Sequence, residues 1–248
     1  MKSMLLVVLL MAAGSLAQNA IPPGTILPVQ LNSSLRSNRL EAGQRVSGRV
    51  MQDVPLSAHS RIPAGAKVIG HIVTAKPAGN GTPAEISMRF DTVAVGKQQI
   101  AVITNLRALA SLMDVSEAQV PEGGADRGTS EYEWTTDLIG GEVAYQGGGN
   151  VFHGHQVVGH SAPNGVLGHV YAMPGTKCRG EVVGNDRLQA LWVFSSDACG
   201  LYYFPHMILV HAGRSDPVGE ITLRSTKGNV NVRAGSGMLL RVNAQRAP

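Results

Sequence analysis

Ile62-Pro63-Ala64-Gly65-Ala66-Lys67-Val68-Ile69-Gly70-His71-Ile72 packs a turn and a strand into eleven residues, and its reading decides the fold. Pro63 fixes φ for the first turn position and Gly65 frees the last, after which Val68, Ile69 and Ile72 supply a β-branched run suited to a pleated surface. The same grammar stands earlier, in Ile21-Pro22-Pro23-Gly24-Thr25-Ile26-Leu27-Pro28-Val29, and in looser form from Val232 through Gly235 and Gly237 to Val242. The first and last of these pieces can share one sheet.

Outward from that stretch the chain reads as short strands and turns. Thr25 to Leu31 predicts a first strand, which Pro28 confines to an edge or a bulge. Between Val46 and Val54, Val46, Gly48 and Val50 alternate with Ser47 and Arg49, the period of two of a half-buried antiparallel strand. Ala84 to Val95 and Gln98 to Thr104 flank Gly96-Lys97, which is a hairpin signal. Leu106 to Val115 carries apolar residues at helical spacing and predicts a short helix or turn. Leu188 to Phe194 is the most apolar strand candidate of the middle region, and Glu220 to Ser225, Asn229 to Arg233 and Met238 to Asn243 are three more strands. Many short strands with regular turn signals and almost no helix predict an all-β barrel or sandwich.

Met1-Lys2-Ser3, an apolar run from Met4 to Ala13 and the small residues of Gly14 to Ala17 form the pattern of a signal peptide, with cleavage expected after Ala17. That apolar run falls short of the roughly 20 residues that span a bilayer. The expected mature chain therefore has no transmembrane segment and is periplasmic or extracellular. Removing residues 1–17 takes Lys2 away and lowers the net charge from +4 to +3. The densest basic group, Arg36, Arg39, Arg45, Arg49 and Arg61, has none of the interleaved aromatics that single-strand binding uses, so no nucleic-acid partner is expected. Cys178 and Cys199 are the only cysteines, and downstream of an export signal they are expected to form one disulfide.

Ser116 to Asn150 turns acidic and glycine-rich. The run Gly147-Gly148-Gly149 has no Lys-Ser/Thr after it and reads as a turn, not a phosphate loop. His153-Gly154-His155 with His160 and His169 is the best metal candidate, because alternate residues of a strand point the same way. No known zinc spacing is present, and loop histidines bonded to solvent are the commoner arrangement, so no metal or other cofactor is expected. Gly159-His160-Ser161-Ala162-Pro163 resembles a nucleophile elbow but ends in Pro163 and lacks the flanking strand and helix. Asp186, Asp197 and Asp216 read as turn-capping aspartates, and His206 and His211 as residues flanking an apolar strand. Trp134, Tyr145 and Tyr171 would suit contacts to carbohydrate or to an envelope protein.

Ile21-Pro22-Pro23-Gly24-Thr25 with its strand, Val46 to Val54, and Arg61 to Gly70 stand in an order and spacing that resemble the TrbI-like barrel domain of conjugation and type IV secretion core complexes. Val230 to Val242 looks like that family's closing segment, so the resemblance covers about residues 21–107 and 217–243. It implies a β-barrel carrying a glycine-rich, disulfide-bearing insertion. The chain departs from the family in its cleavable signal, in lacking a proline-rich spanning region, and in that insertion. The expected organisation is a signal peptide at 1–17, the first part of the barrel at 18–110, an insertion or second β subdomain at 111–215, and closing strands at 216–248. The expected function is that of an exported, non-enzymatic β-barrel protein of the cell envelope in a structural or binding role. The alternative is a secreted metal-dependent hydrolase built on His153, His155, His160 and His169.

Overall fold

The turn at Pro63–Ala66 has three counterparts, and together they hold the barrel. The computed structural model describes residues 20–57, 59–120, 122–123, 134–140, 142–145, 150–153, 156–160, 166–169 and 191–244. In chain order the elements are β1 (Ile26–Leu31), β2 (Leu35–Arg36), β3 (Arg45–Val50), β4 (Val54–Pro55), β5 (Arg61–Ile62), β6 (Lys67–Lys76), β7 (Ala84–Val95), β8 (Gln98–Ala101), β9 (Thr104–Ala110), α1 (Leu112–Glu117) and β10 (Glu122–Gly123). There follow β11 (Trp134–Asp137), β12 (Glu142–Tyr145), β13 (Asn150–His153), β14 (Gln156–His160), β15 (Val166–His169), β16 (Gly200–Tyr202), β17 (Met207–His211), β18 (Ile221–Ser225), β19 (Asn231–Val232) and β20 (Gly237–Val242).

Four turns place a glycine third, at φ between 81° and 90°, where only a residue without Cβ is unstrained: Gly24, Gly43, Gly65 and Gly235. In each, the residue after the glycine donates its N–H to the carbonyl of the first turn residue, Ala66 to Pro63 at 3.1 Å for instance. Each turn then clamps a neighbouring strand by two backbone bonds. Gly65 N–H donates to Val50 C=O at 2.7 Å while Val50 N–H donates to Ala66 C=O at 2.8 Å, fixing the start of β6 on the end of β3. Gly43 and Gln44 do the same with Ile72, so β3 and β6 are clamped at both ends. Gly24 and Thr25 hold Val242, and Gly235 and Ser236 hold Leu31, so β1 and β20 form a second doubly clamped pair. Pairing of β1 with β3 joins the two.

The main sheet has ten strands, nine of them in the order β16-β9-β20-β1-β3-β6-β7-β18-β17, with β8 on β7. It comes back on itself where Leu106 N–H of β9 donates to Ala212 C=O, just past β17, at 2.9 Å. The result is an all-β, nearly closed barrel. Its interior is filled by alternate residues, among them Leu27, Val29 and Leu31 of β1, Ile86, Met88 and Phe90 of β7, and Met238, Leu240 and Val242 of β20, all 3% exposed or less. The predicted strands around Val46, Val68, Ala84, Gln98, Ile221 and Met238 are all in this sheet, and the first and last predicted strands pair as expected.

Four local expectations are corrected. β1 is an interior strand, between β20 and β3, in spite of Pro28. Pro28 C=O accepts from Met51 N–H, one residue beyond the end of β3, so the missing proline donor faces a place where the ladder has stopped. Thr104–Ala110 is a strand and not a helix, with all seven residues buried. A strand covered on both faces shows a continuous apolar run, in which periodicity cannot separate helix from strand. The helix begins only at Leu112, where Ser111 and Asp114 form a capping box. Leu191 to Phe194 is a turn closed by reciprocal backbone bonds, with Trp192 at φ 61°, and not a strand. Finally, β16 and β17, from within residues 111–215, belong to the main sheet.

The outer face of β9 carries a second small core. Ala108 and Ala110, with Leu239 of β20, pack against Val115 and Ala118 of the α1 region and against Leu191, Val193, Phe194 and Ala198. Arg107 is the extra residue of a bulge, standing between the Leu106↔Leu240 and Ala108↔Leu239 pairs, and its buried guanidinium donates to Ser196 C=O. β10, β11, β12 and β15 form a separate four-stranded sheet, and β13 pairs with β14.

Two measurements follow. A Cβ at Gly70 would stand 1.8 Å from the carbonyl oxygen of Arg89, inside the β6–β7 ladder, so Gly70→Ala should cost about 3 kcal/mol in a denaturant titration. Burial is the largest cause raising the Asp114 carboxyl above its ordinary value of 3.8, outweighing the Ser111 hydrogen bonds, with Glu117 adding repulsion. The native state then keeps a proton that the unfolded chain has already lost, so this group makes stability fall as pH rises from 3.8 toward the raised folded value. Asp114→Asn, which keeps an acceptor for Ser111 N–H, should abolish that part of the slope in melts recorded across the range.

Candidate functional site

The barrel interior is apolar and filled, so polar chemistry stands on its outer wall. An organised set of polar side chains among the described residues lies where β6, β7 and β18 run side by side, because in each strand the residues alternating with the core face outward. Register sets Lys76 opposite Glu85 and Glu85 opposite Arg224 in one row, with Ser87 opposite Thr222 in the next. Arg224 donates to Glu85 Oε2 from Nη2 at 2.7 Å and from Nε at 3.1 Å, and Lys76 Nζ stands 3.7 Å from Oε1. Ser87 and Thr222 share a hydroxyl hydrogen bond of 2.7 Å, and Arg89 Nη2 donates to Glu220 Oε2 at 3.2 Å.

His71 and Asp91 complete this wall, with 2.9 Å between Nδ1 and Oδ2. Asp91 owes its place to a bulge, since Gly70 pairs with Phe90 and Ile69 with Thr92, leaving Asp91 as the extra residue of β7. Thr92 Oγ1 also donates to Asp91 Oδ1, at 2.8 Å. The carboxylates of this wall are thus already engaged. The hydroxyls bond each other, the imidazole bonds a carboxylate, and no hydroxyl–imidazole bond joins the two sets among the described residues. Such a wall orders β6, β7 and β18 by cross-strand pairs more than it poises a nucleophile.

A second feature is an opening of about 340 Å³ lined by Ser34, Arg36, Arg39, Leu40 and Gln44. Arg36 sits in β2 opposite Asn231 of β19, and Arg39 N–H donates back to Arg36 C=O at 2.9 Å, so one tight turn carries both guanidiniums. Both side chains are exposed.

The histidine candidates are placed in part. His153 pairs with Gln156 and His160 with Asn150, so these two stand at opposite ends of the β13–β14 hairpin, roughly 10 Å apart along the strands at 3.3 Å per residue. His169 of β15 lies opposite Glu142, and His155 is outside the described residues. Among the described residues no group of three or more His, Cys, Asp or Glu is arranged to hold a metal. Trp134 pairs with Gly123 and Tyr145 with Thr135. Tyr171, Ser161, Asp186, Cys178 and Gly147–Gly149 lie outside the described residues, as do residues 1–17. Cys199 is buried directly before β16, and no free cysteine stands among the described residues.

His206 C=O accepts from Thr226 N–H at 2.7 Å, while His211 Nδ1 stands 2.6 Å from Glu220 C=O and its Nε2 3.1 Å from Ser215 Oγ, so both serve the loops around β17 and β18. Asp197 is in the turn before Cys199, and Asp216 precedes Pro217 in a cis peptide bond. The His71–Asp91 pair and the Glu85 cluster escaped the sequence reading. Strand alternation marks their residues as outward-facing, but their partners are set by register across strands as far apart as residues 85 and 224.

A double-mutant cycle on Glu85→Gln and Arg224→Met, read by chemical denaturation, should give a coupling of about 1 kcal/mol, in keeping with a two-donor contact on a half-buried carboxylate. No coupling would mean that the contact does not order the wall. No family model, curated protein or solved structure matches this chain.

Proposed function

We propose that this is an exported, non-enzymatic β-barrel protein of the cell envelope, with a structural or binding role. The observation that carries the reading is the barrel itself. Its interior is packed with side chains such as Phe90, Met88 and Leu240, which leaves its outer surface to act. Small barrels filled in this way serve as rigid supports for the surface features they display. The charged wall on β6, β7 and β18 has its carboxylates held by neighbouring cations or hydrogen-bond donors, which suits a stable scaffold.

Residues 1–17 are the export signal in this reading, and Cys178 and Cys199 form a disulfide in the oxidising compartment beyond the inner membrane. The TrbI-like resemblance of residues 21–107 and 217–243 belongs to the proposal too, as does an envelope protein or carbohydrate as partner. In the sheet, β20, near the end of the segments that carry the resemblance, lies directly beside β1.

The test is expression of the full chain in a bacterial host, followed by fractionation and intact mass. The expected product is recovered from the periplasm or the medium, begins at Gln18, and has no alkylatable thiol unless reduced. A cytoplasmic product retaining residues 1–17 would overturn export. Stoichiometric zinc with hydrolytic activity, both lost in a His153→Ala/His155→Ala variant, would overturn the non-enzymatic role.

A further inference from the structure

We propose that the opening at Ser34, Arg36, Arg39, Leu40 and Gln44 binds a monosaccharide-sized oxyanion, a phosphorylated or carboxylated sugar unit. This gives the binding role proposed above a ligand class, and it rests on that role. The first observation is that two of the cations without an ion pair among the described residues, a group that also includes Arg45, Lys67, Lys97, Lys227, Arg233 and Arg241, stand together on one turn. Arg61 is paired with Asp53 at 3.2 Å, Arg89 with Glu220, and Lys76 and Arg224 with Glu85. Arg36 and Arg39, exposed on one turn, form no such pair among the described residues. No carboxylate lines the opening they share.

Local charge follows the same pattern. From Asn32 to Arg49 the sequence holds Arg36, Arg39, Arg45 and Arg49 against Glu41 alone. Two guanidiniums with open donor sets beside a recess match the planar, bidentate geometry that carboxylate and phosphate oxygens offer.

The second observation is that the backbone carrying these residues is fixed before any ligand arrives. Leu35 is buried and pairs with Val232, Val230 N–H donates to Ser37 Oγ at 3.1 Å, and Ser37 Oγ donates to Asn229 Oδ1 at 3.2 Å. Ser34 Oγ accepts from Ala234 N–H at 3.0 Å, which ties the rim to the turn before β20. On the opposite side Glu41 N–H donates to Gln44 Oε1 at 3.2 Å, which leaves the Gln44 amide nitrogen as the donor to offer. The opening, of about 340 Å³, is lined by a hydroxyl, an amide, two guanidiniums and a single leucine, a polar set that offers hydrogen bonds to a small polyhydroxylated anion and little to an apolar ligand.

The experiment titrates the folded, full mature chain with glucose 1-phosphate, glucuronate, glucose and inorganic phosphate at physiological salt, by calorimetry and by NMR shifts of the Gln44 side-chain amide. Both anionic sugars should bind and move that amide, and glucose should bind neither measurably nor at that place. Inorganic phosphate should bind more weakly than glucose 1-phosphate. Preference for glucose 1-phosphate or for glucuronate tells a phosphate ligand from a carboxylate one. An Arg36→Gln/Arg39→Gln variant should lose about tenfold in affinity with an unchanged circular dichroism spectrum, while Arg61→Gln should bind as the parent does. Silence toward both anionic sugars, equal binding of glucose, or equal losses in the Arg61 and Arg36/Arg39 variants would overturn the proposal. None of these results bears on export, which the fractionation decides separately.

Discussion

Eight backbone hydrogen bonds, two from each of four glycine turns, hold the strands that the rest of the molecule is laid upon. A strand pair frays at its ends, where ladder bonds run out and water competes for the free groups. Here every end of the β1–β20 and β3–β6 pairs is met by a turn that offers an N–H from its glycine and a C=O from the next residue. Register is locked by the same contact. A slip by one residue would turn Leu27, Val29 and Leu31 outward and at once carry the glycine away from the carbonyl it serves. The device is the same in both pairs, so the two halves meeting at β1 and β3 approach twofold symmetry in backbone pattern.

What the clamps fix, the wall residues then differentiate. In β3 and β6 the inward middle positions are Gly48 and Gly70; Gly48 pairs with Val68, whereas Gly70 lies between Val46 and Phe90 of β7, which supplies the large side chain at its level. In β1 and β20 the inward positions are all occupied by larger apolar groups. On the outside the sizes reverse. Ala108, Ala110 and Gly237 make a shallow floor on which Phe194 and Val115 come to rest, 3.0 Å from where a Cβ on Gly237 would be. β9 is therefore sealed on both faces, and a bulge at Arg107 breaks its alternation between them.

The all-β class, most strand positions and the pairing of the first and last strands were legible because turn glycines and period-two alternation are local signals. β9 was not, since double-sided burial erases alternation, and its run of Leu106, Ala108, Leu109 and Ala110 also satisfies a helical template. Pro28 misled for a related reason. Its lack of a donor is visible in sequence, but whether the partner strand extends far enough to need one is a property of the register. Arg36 and Arg39 stood out as basic residues from the start. That they share a recess without a counter-ion depends on β2 folding back onto β19, nearly two hundred residues away, and no pattern within either segment announces it.

The position of β20 bears on how the chain reaches its folded state. This strand fits between β1 and β9, and Gln30 bonds to Gly235 across a separation of 205 residues. Until β20 has been synthesised, β1 and β9 each present an open edge, and half of the β1–β20 clamp has no partner. The barrel is accordingly a structure of high contact order, completed by a late, long-range step and slow to form beside a helical domain of the same size. Such a chain keeps the edges of two strands unpaired until its last strand has been made, and the sheet can close only when that strand fills the gap between them.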